Sequence, residues 1–182
     1  MQNGVDHVRS FIAAAEAFIA WVEEYPRNSG ELIVLHRLLA DVQAALLRLP
    51  APTIDGADPD AEDDGDTESV AHHHERWKTI TEGLSALPIT HYQIVFDSLT
   101  QEEADAQVTG WLADDLADIY LDVREGLEHA NAGRASEALW EWRFGYFSHW
   151  GRHLVHAQNA IWDYLQANGF EDNQFEALAK DE

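Results

Sequence analysis

A chain of 182 residues is the size of one ordinary domain and can bury roughly 70% of the surface its unfolded form exposes, with no staple required. It has no cysteine, which excludes disulfides, thiolate zinc sites, iron–sulfur clusters and cysteine nucleophiles together. Against 34 acidic residues stand 11 basic ones, and a net charge of -23 repels phosphate backbones and anionic headgroups, so neither nucleic acid nor a membrane is expected as a partner.

Val5, Val8, Ile12, Ala15, Ile19 and Val22 recur at spacings of three and four, with Phe11, Phe18 and Trp21 widening the stripe. The spacing predicts a helix over 5–25, stopped by Pro26. Its apolar stretch is too short to cross a bilayer, and with no address signal in view the expected location is the cytoplasm. Ser29 is the expected N-cap of a second helix over 31–49, which buries Leu32, Leu35, Leu39, Val42, Leu46 and Leu49. The short link PRNSG makes these two helices an antiparallel hairpin.

Composition then changes. Residues 50–69 carry Asp55, Asp58, Asp60, Glu62, Asp63, Asp64, Asp66 and Glu68, no base and almost no large apolar side chain, so a solvated acidic linker is expected. A calcium loop does not fit, because its twelfth place falls on Ala71 where a bidentate Glu is required. A third helix over 70–87 carries Trp77, Ile80, Leu84 and Leu87. At its start, His72, His73 and His74 fan out over about 200° of the helix, so they cannot share one ion, although they can pick up adventitious nickel. Ile94, Val95 and Phe96 have the composition of a strand but no visible partner strand, so an irregular arm is expected there and no sheet.

Leu112, Leu116, Ile119, Tyr120, Val123 and Leu127 define a fourth helix over 110–131, and a long fifth is expected over 136–168, with a frayed tail at 170–182. Gly145 and Gly151 lie inside the fifth and admit a close neighbour or a kink. The sum is a single all-α domain, an up-and-down bundle of four to five helices with a long acidic connection after helix two.

Two of these helices carry polar residues in register. Asp115, Asp118 and Asp122 line one edge of helix four, and His149, His153 and His156 line one edge of helix five, each set within about 60° of arc. Imidazole and carboxylate together are the ligand set for a divalent transition metal such as Zn, Mn, Fe or Ni, and bundles build such sites between facing helices. Asp115, Asp118, Asp122, His149 and His153 are therefore the candidate ligands, with His156 and a distal His36 as further ones. The alternative reading is structural His–Asp hydrogen bonding.

The segments WLADDLADIYLDVREGL (111–127) and EALWEWRFGYFSHWGRHLVHAQNAIW (137–162), preceded by HYQIVFDSLT (91–100), resemble the bacterial family catalogued as domain of unknown function 5063, most densely over 91–162. The resemblance implies a small all-helical bacterial protein and brings no established activity. It puts weight on Trp111, Asp114, Asp115, Asp118, Tyr120, Asp122, His149, Trp150, Gly151 and His153, and leaves His156 outside the pattern.

Two classes of function follow. The first in rank is a non-enzymatic bundle that binds or scaffolds a protein partner, or self-associates, which exposure of Trp111, Trp140 or Trp142 would favour. The second is a metal-dependent, hydrolase-like bundle built on the Asp/His cluster. Replacing residues 52–68 by a short Gly/Ser link is expected to leave the melting temperature unchanged or slightly raised, since like charges there repel one another. Calorimetry checks this, and a large drop would mean that an ion or a basic groove holds the acids.

Overall fold

A computed structural model describes residues 2–25, 32–52, 67–95 and 107–168. The middle of the predicted acidic linker, 53–66, and the predicted tail, 170–182, lie outside the described residues. The order of elements is α1 (Gln2–Glu24), α2 (Leu32–Leu46), α3 (Thr67–Leu84), β1 (His91–Val95), β2 (Gln107–Trp111), α4 (Leu112–Asn131), α5 (Ala135–Ser148) and α6 (Trp150–Asn168).

The architecture is the expected helical bundle, with α4 at its centre. α4 packs against α1, α3, α5 and α6, while α2 covers α1 and α6. Its stripe of Leu112, Leu116, Ile119 and Val123 is fully buried and meets Phe11, Phe18, Leu35, Leu39, Trp142, Trp150 and Leu154 in one core. Burying a side chain of that size contributes about 1.5–3 kcal/mol, which is why the stripe dictates the orientation of α4. Polar ties lock the same orientation: the Tyr120 hydroxyl donates to Glu23 Oε1 at 2.7 Å, and the Arg124 guanidinium lies 2.6 Å from the same oxygen. On the α5 side, Trp142 Nε1 donates to the Val123 carbonyl at 3.0 Å while its ring packs 4.7 Å from that of Phe11.

Two expectations are corrected. A small sheet is present: β1 and β2 pair antiparallel, with His91 opposite Trp111, Tyr92 opposite Gly110 and Val95 opposite Gln107. The partner strand, QVTGW, follows a run of acids and contains a glycine, so its composition conceals it. In the fold that glycine has a purpose, because a Cβ on Gly110 would lie 2.7 Å from both Ile94 Cδ1 and Tyr92 Cζ. A two-stranded ribbon is marginal alone. This one is braced by the Trp111 ring, 6.0 Å edge-on from Trp77 and 6.4 Å from His91, and by Leu112 N–H donating to the Thr90 carbonyl at 3.1 Å.

The long fifth helix is two helices, which brings the described total to six. His149 leaves helical geometry at φ -142° and ψ -87°, its N–H still donating to the Gly145 carbonyl at 2.8 Å. The tight junction depends on Gly151, where a Cβ would stand 2.2 Å from the Tyr146 carbonyl oxygen. Trp150 uses the break to enter the core, 5.0 Å from the Tyr146 ring.

Gly126 tests the packing most directly, since an added Cβ there would lie 2.1 Å from Trp142 Nε1. Gly126→Ala is expected to lower the unfolding free energy by about 2–4 kcal/mol, from overpacking and the lost indole hydrogen bond. Urea titration measures this, and a variant as stable as the parent would contradict the α4–α5 contact.

Candidate metal centre

The orientation of α4 that buries Leu116, Ile119 and Val123 carries its neighbouring edge, with Asp115, Asp118 and Asp122, against the α5–α6 junction. Asp115 is only 4% exposed, and a carboxylate cannot be taken that far from water unless donors meet it. Two donors do. The Tyr92 hydroxyl, delivered by β1, donates to Asp115 Oδ2, and His153 Nδ1 lies 2.7 Å from Asp115 Oδ1. Two turns further along α4, Asp122 Oδ2 lies 2.9 Å from His149 Nδ1.

Each histidine therefore turns Nδ1 to its own carboxylate. A neutral imidazole that donates through Nδ1 has its lone pair on Nε2, so both rings are held with Nε2 as the free ligand atom. Beside them stands Asp118, its Oδ2 3.5 Å from His153 Nε2. Asp118, His149 and His153 each offer a ligand atom, all within 4.8 Å of one another. Ligands sharing an ion at about 2.0–2.2 Å stand roughly 3–4 Å apart, so contraction by about 1 Å would close the set. The two rings lie 5.0 Å apart, inclined at 69°. His149 is half exposed, which leaves the set open to solvent on one side.

The charges are crowded. Burial raises the pKa of Asp118, an effect the nearby His153 opposes and Asp114 reinforces. The hydrogen bond to Asp115 raises that of His153, against the desolvation that lowers it. Burial and the Asp115 contact drive the Tyr92 hydroxyl far above its usual range, so it stays a donor at any physiological pH. Trp77 Nε1 adds a hydrogen bond to Asp114 Oδ1 at 3.2 Å.

Of the sequence candidates, Asp118, His149 and His153 converge, whereas Asp115 and Asp122 stand behind the histidines. His156 and His36 are not in the converging set. Burial lowers the pKa of both, and the His36 ring lies 6.3 Å from that of Trp162. His72, His73 and His74 are exposed. Sequence reasoning missed Tyr92, which reaches Asp115 only through the sheet. It also missed a second grouping, Glu125, His129 and Glu141, whose ligand atoms lie within 4.8 Å of one another. The legible signal was the stripe Asp118, Asp122, Glu125 and His129 at steps of four, three and four along α4.

Fold and site together describe a helical bundle with a Tyr-, Asp- and His-lined edge. The chain belongs to the DUF5063 family, a domain of unknown function, whose profile matches residues 4–167. The crystal structure of protein BF1032 from Bacteroides fragilis is similar, with a TM-score of 0.62 and 19% sequence identity over 87% of this chain and 91% of that one, a likeness of fold. No curated protein matches. Among the described residues, no helix is long and apolar enough to cross a membrane.

A pH dependence follows for metal-free protein. The fold binds the proton of His153 more tightly than the unfolded chain does, so the stabilisation is complete below the unfolded value of about 6.5 and fades as pH rises through the higher folded value. His153→Gln is expected to cost about 1–3 kcal/mol on the acidic side and less at alkaline pH. Denaturant titrations of both proteins across this range measure the gap, and a gap that does not change with pH would contradict the His153–Asp115 ion pair.

Proposed function

We propose that the protein binds one divalent transition metal ion through Asp118, His149 and His153, with at least one coordination position left to water. The observation that carries the reading is the pairing of both Nδ1 atoms with carboxylates, Asp122 for His149 and Asp115 for His153, which leaves two Nε2 atoms for an ion while Asp118 stands within 4.8 Å of a ligand atom of each ring. Carboxylates behind metal-bound histidines fix the tautomer and raise the basicity of the ligand. Three protein ligands with an open position is the pattern of catalytic rather than structural zinc sites, and the chemistry it supports is activation of a water for hydrolysis. In that arrangement Asp118 supplies ligand charge, Asp115 and Asp122 hold the rings, and Tyr92 holds Asp115.

Protein made without an affinity tag is expected to contain near-stoichiometric Zn, Mn, Fe or Ni by elemental analysis, and chelation is expected to lower its melting point. Asp118→Asn and His153→Gln should both lose the metal. A metal-free preparation whose stability is indifferent to chelators and to added ions would overturn the proposal.

A second reading, a bundle that docks a protein partner or a second copy, draws support from α5. Trp140, Phe144 and Phe147 share one face and are 48%, 55% and 73% exposed, with the first two rings stacked 4.6 Å apart. Trp142, by contrast, is fully buried, and Trp111 is half-buried in the brace of the sheet. A change in mass by light scattering between the parent and Phe147→Ser would favour self-association through this face.

A further inference from the structure

Apolar side chains lie on two sides of α5, and the fold covers one of them. Ala138 and Trp142 are buried, while Trp140, Phe144 and Phe147 stand exposed at steps of four and three along the opposite side, over about 10 Å of helix. A helix that is apolar all round belongs inside a protein, so this face lacks its cover. We propose that the strip Trp140–Phe144–Phe147, with the carboxylates of Glu125 and Glu141 beside it, docks a basic amphipathic helix of another protein. Such a helix has apolar side chains at steps of three and four and Lys or Arg along its flank. The proposal rests on the reading of α5 as a docking face and is independent of the metal centre.

The charge beside the strip sets the chemistry of the partner. Glu137 and Glu141 stand three residues before Trp140 and Phe144, and so flank those rings on the helix surface. Glu137 is already engaged, its Oε2 2.8 Å from Arg134 Nε. Glu141 is not. Among the described residues no hydrogen bond or ion pair reaches it, and Glu125 of α4 brings a carboxylate oxygen within 4.8 Å of its own. Desolvation together with Glu125, Asp122 and Glu137 pushes the pKa of Glu141 up to about 7, as befits a carboxylate without a counter-charge. On the other flank, Arg143 directs its Nη1 donor to the Leu49 carbonyl at 2.5 Å. A Lys or Arg laid along the acidic side supplies the missing cation, while the aromatic strip buries the partner's apolar side chains. A helix presents such side chains about once per 5.4 Å turn, which matches three rings spread over two turns of α5.

The same charges disfavour other occupants. A second copy brings its own net charge of -23, and a twofold contact would place Glu125 and Glu141 in one interface with their equivalents. The acidic segment 50–69 is no better suited, nor are residues 169–182, where Glu171, Asp172, Glu176, Asp181 and Glu182 outnumber Lys180. Anionic membranes are repelled in the same way.

The test is fluorescence anisotropy of labelled peptides of about 18 residues, or five turns, titrated with the full, tag-free chain. One peptide has Leu at steps of three and four and Lys elsewhere, the second scrambles the same composition to no helical period, and the third replaces every Lys by Glu. The Leu/Lys helix is expected to bind about tenfold more tightly than either control. Phe144→Ser and Phe147→Ser should each weaken it about tenfold, and Glu141→Gln about threefold with a shallower salt dependence. All three variants should melt no lower than the parent by more than a few degrees, because the two rings are exposed and the glutamine removes a repulsion. Equal binding of the scrambled peptide, or binding that ignores both Phe variants, would overturn the proposal, since charge alone would then explain it. A Leu/Glu helix bound as tightly as the Leu/Lys one, or a parent dimer in light scattering that Phe147→Ser dissociates, would refute the basic partner and leave the docking face standing. A monomeric parent that binds no peptide, or one that instead binds phosphatidylcholine vesicles through Phe147, would overturn both.

Discussion

Burial of one face of α4 is the constraint on which the other features depend. Leu112, Leu116, Ile119 and Val123 lie at full burial in the middle of the bundle, and a helix that turns this face inward has no freedom left in where its flanks point. The flank of α4 facing the α5–α6 junction is acidic, so packing the stripe brings Asp115, Asp118 and Asp122 partly or almost wholly out of water. The remainder of the local structure supplies donors for them. The break at His149 and the glycine at 151 bring two imidazoles within reach, and the small sheet brings the Tyr92 hydroxyl. Hydrophobic packing thus sets the position of the carboxylates, and hydrogen bonding sets the direction of the histidines.

The direction matters more than the proximity. A surface histidine near an aspartate is ordinary, and each such pair contributes little when solvated. Here both rings point Nδ1 at a carboxylate of α4, and the third carboxylate lies 3.5 Å from the opposite nitrogen of His153. Without an ion, Asp118 is a half-buried acid with a raised pKa, beside a histidine whose own pKa is raised by another acid. An ion at this point would replace a set of opposed shifts with one charge-compensated cluster.

Much of this was legible in the sequence, and the reasons for the remainder are physical. The helices declare themselves through apolar spacing because each buries one face, and the Asp and His ridges follow from the same period of 3.6. Gly145 and Gly151 announced a disturbance in the last helix, although only the contact of Gly151 with the Tyr146 carbonyl shows that it is a full break. The sheet was not legible. Its second strand lies beside acids and carries Gly110, a weak strand residue whose absent side chain makes sense only once Tyr92 lies across from it. Tyr92 could not be assigned to the site for the same reason, because its partner is 23 positions away and the link runs from β1 to α4. Glu125 and His129 continue a visible stripe, but Glu141 joins them only through the α4–α5 contact, which no single-helix pattern contains.

Anomalous diffraction from crystals of tag-free protein, recorded on both sides of the absorption edge of the bound metal, tests the central claim most directly. The account predicts a peak bounded by Asp118, His149 and His153 at ~2.0–2.2 Å from a carboxylate oxygen and two Nε2 atoms, with both Nδ1 atoms still on Asp122 and Asp115. Crystals of metal-supplemented protein with no peak there, or with anomalous density only at His72–His74, would contradict it.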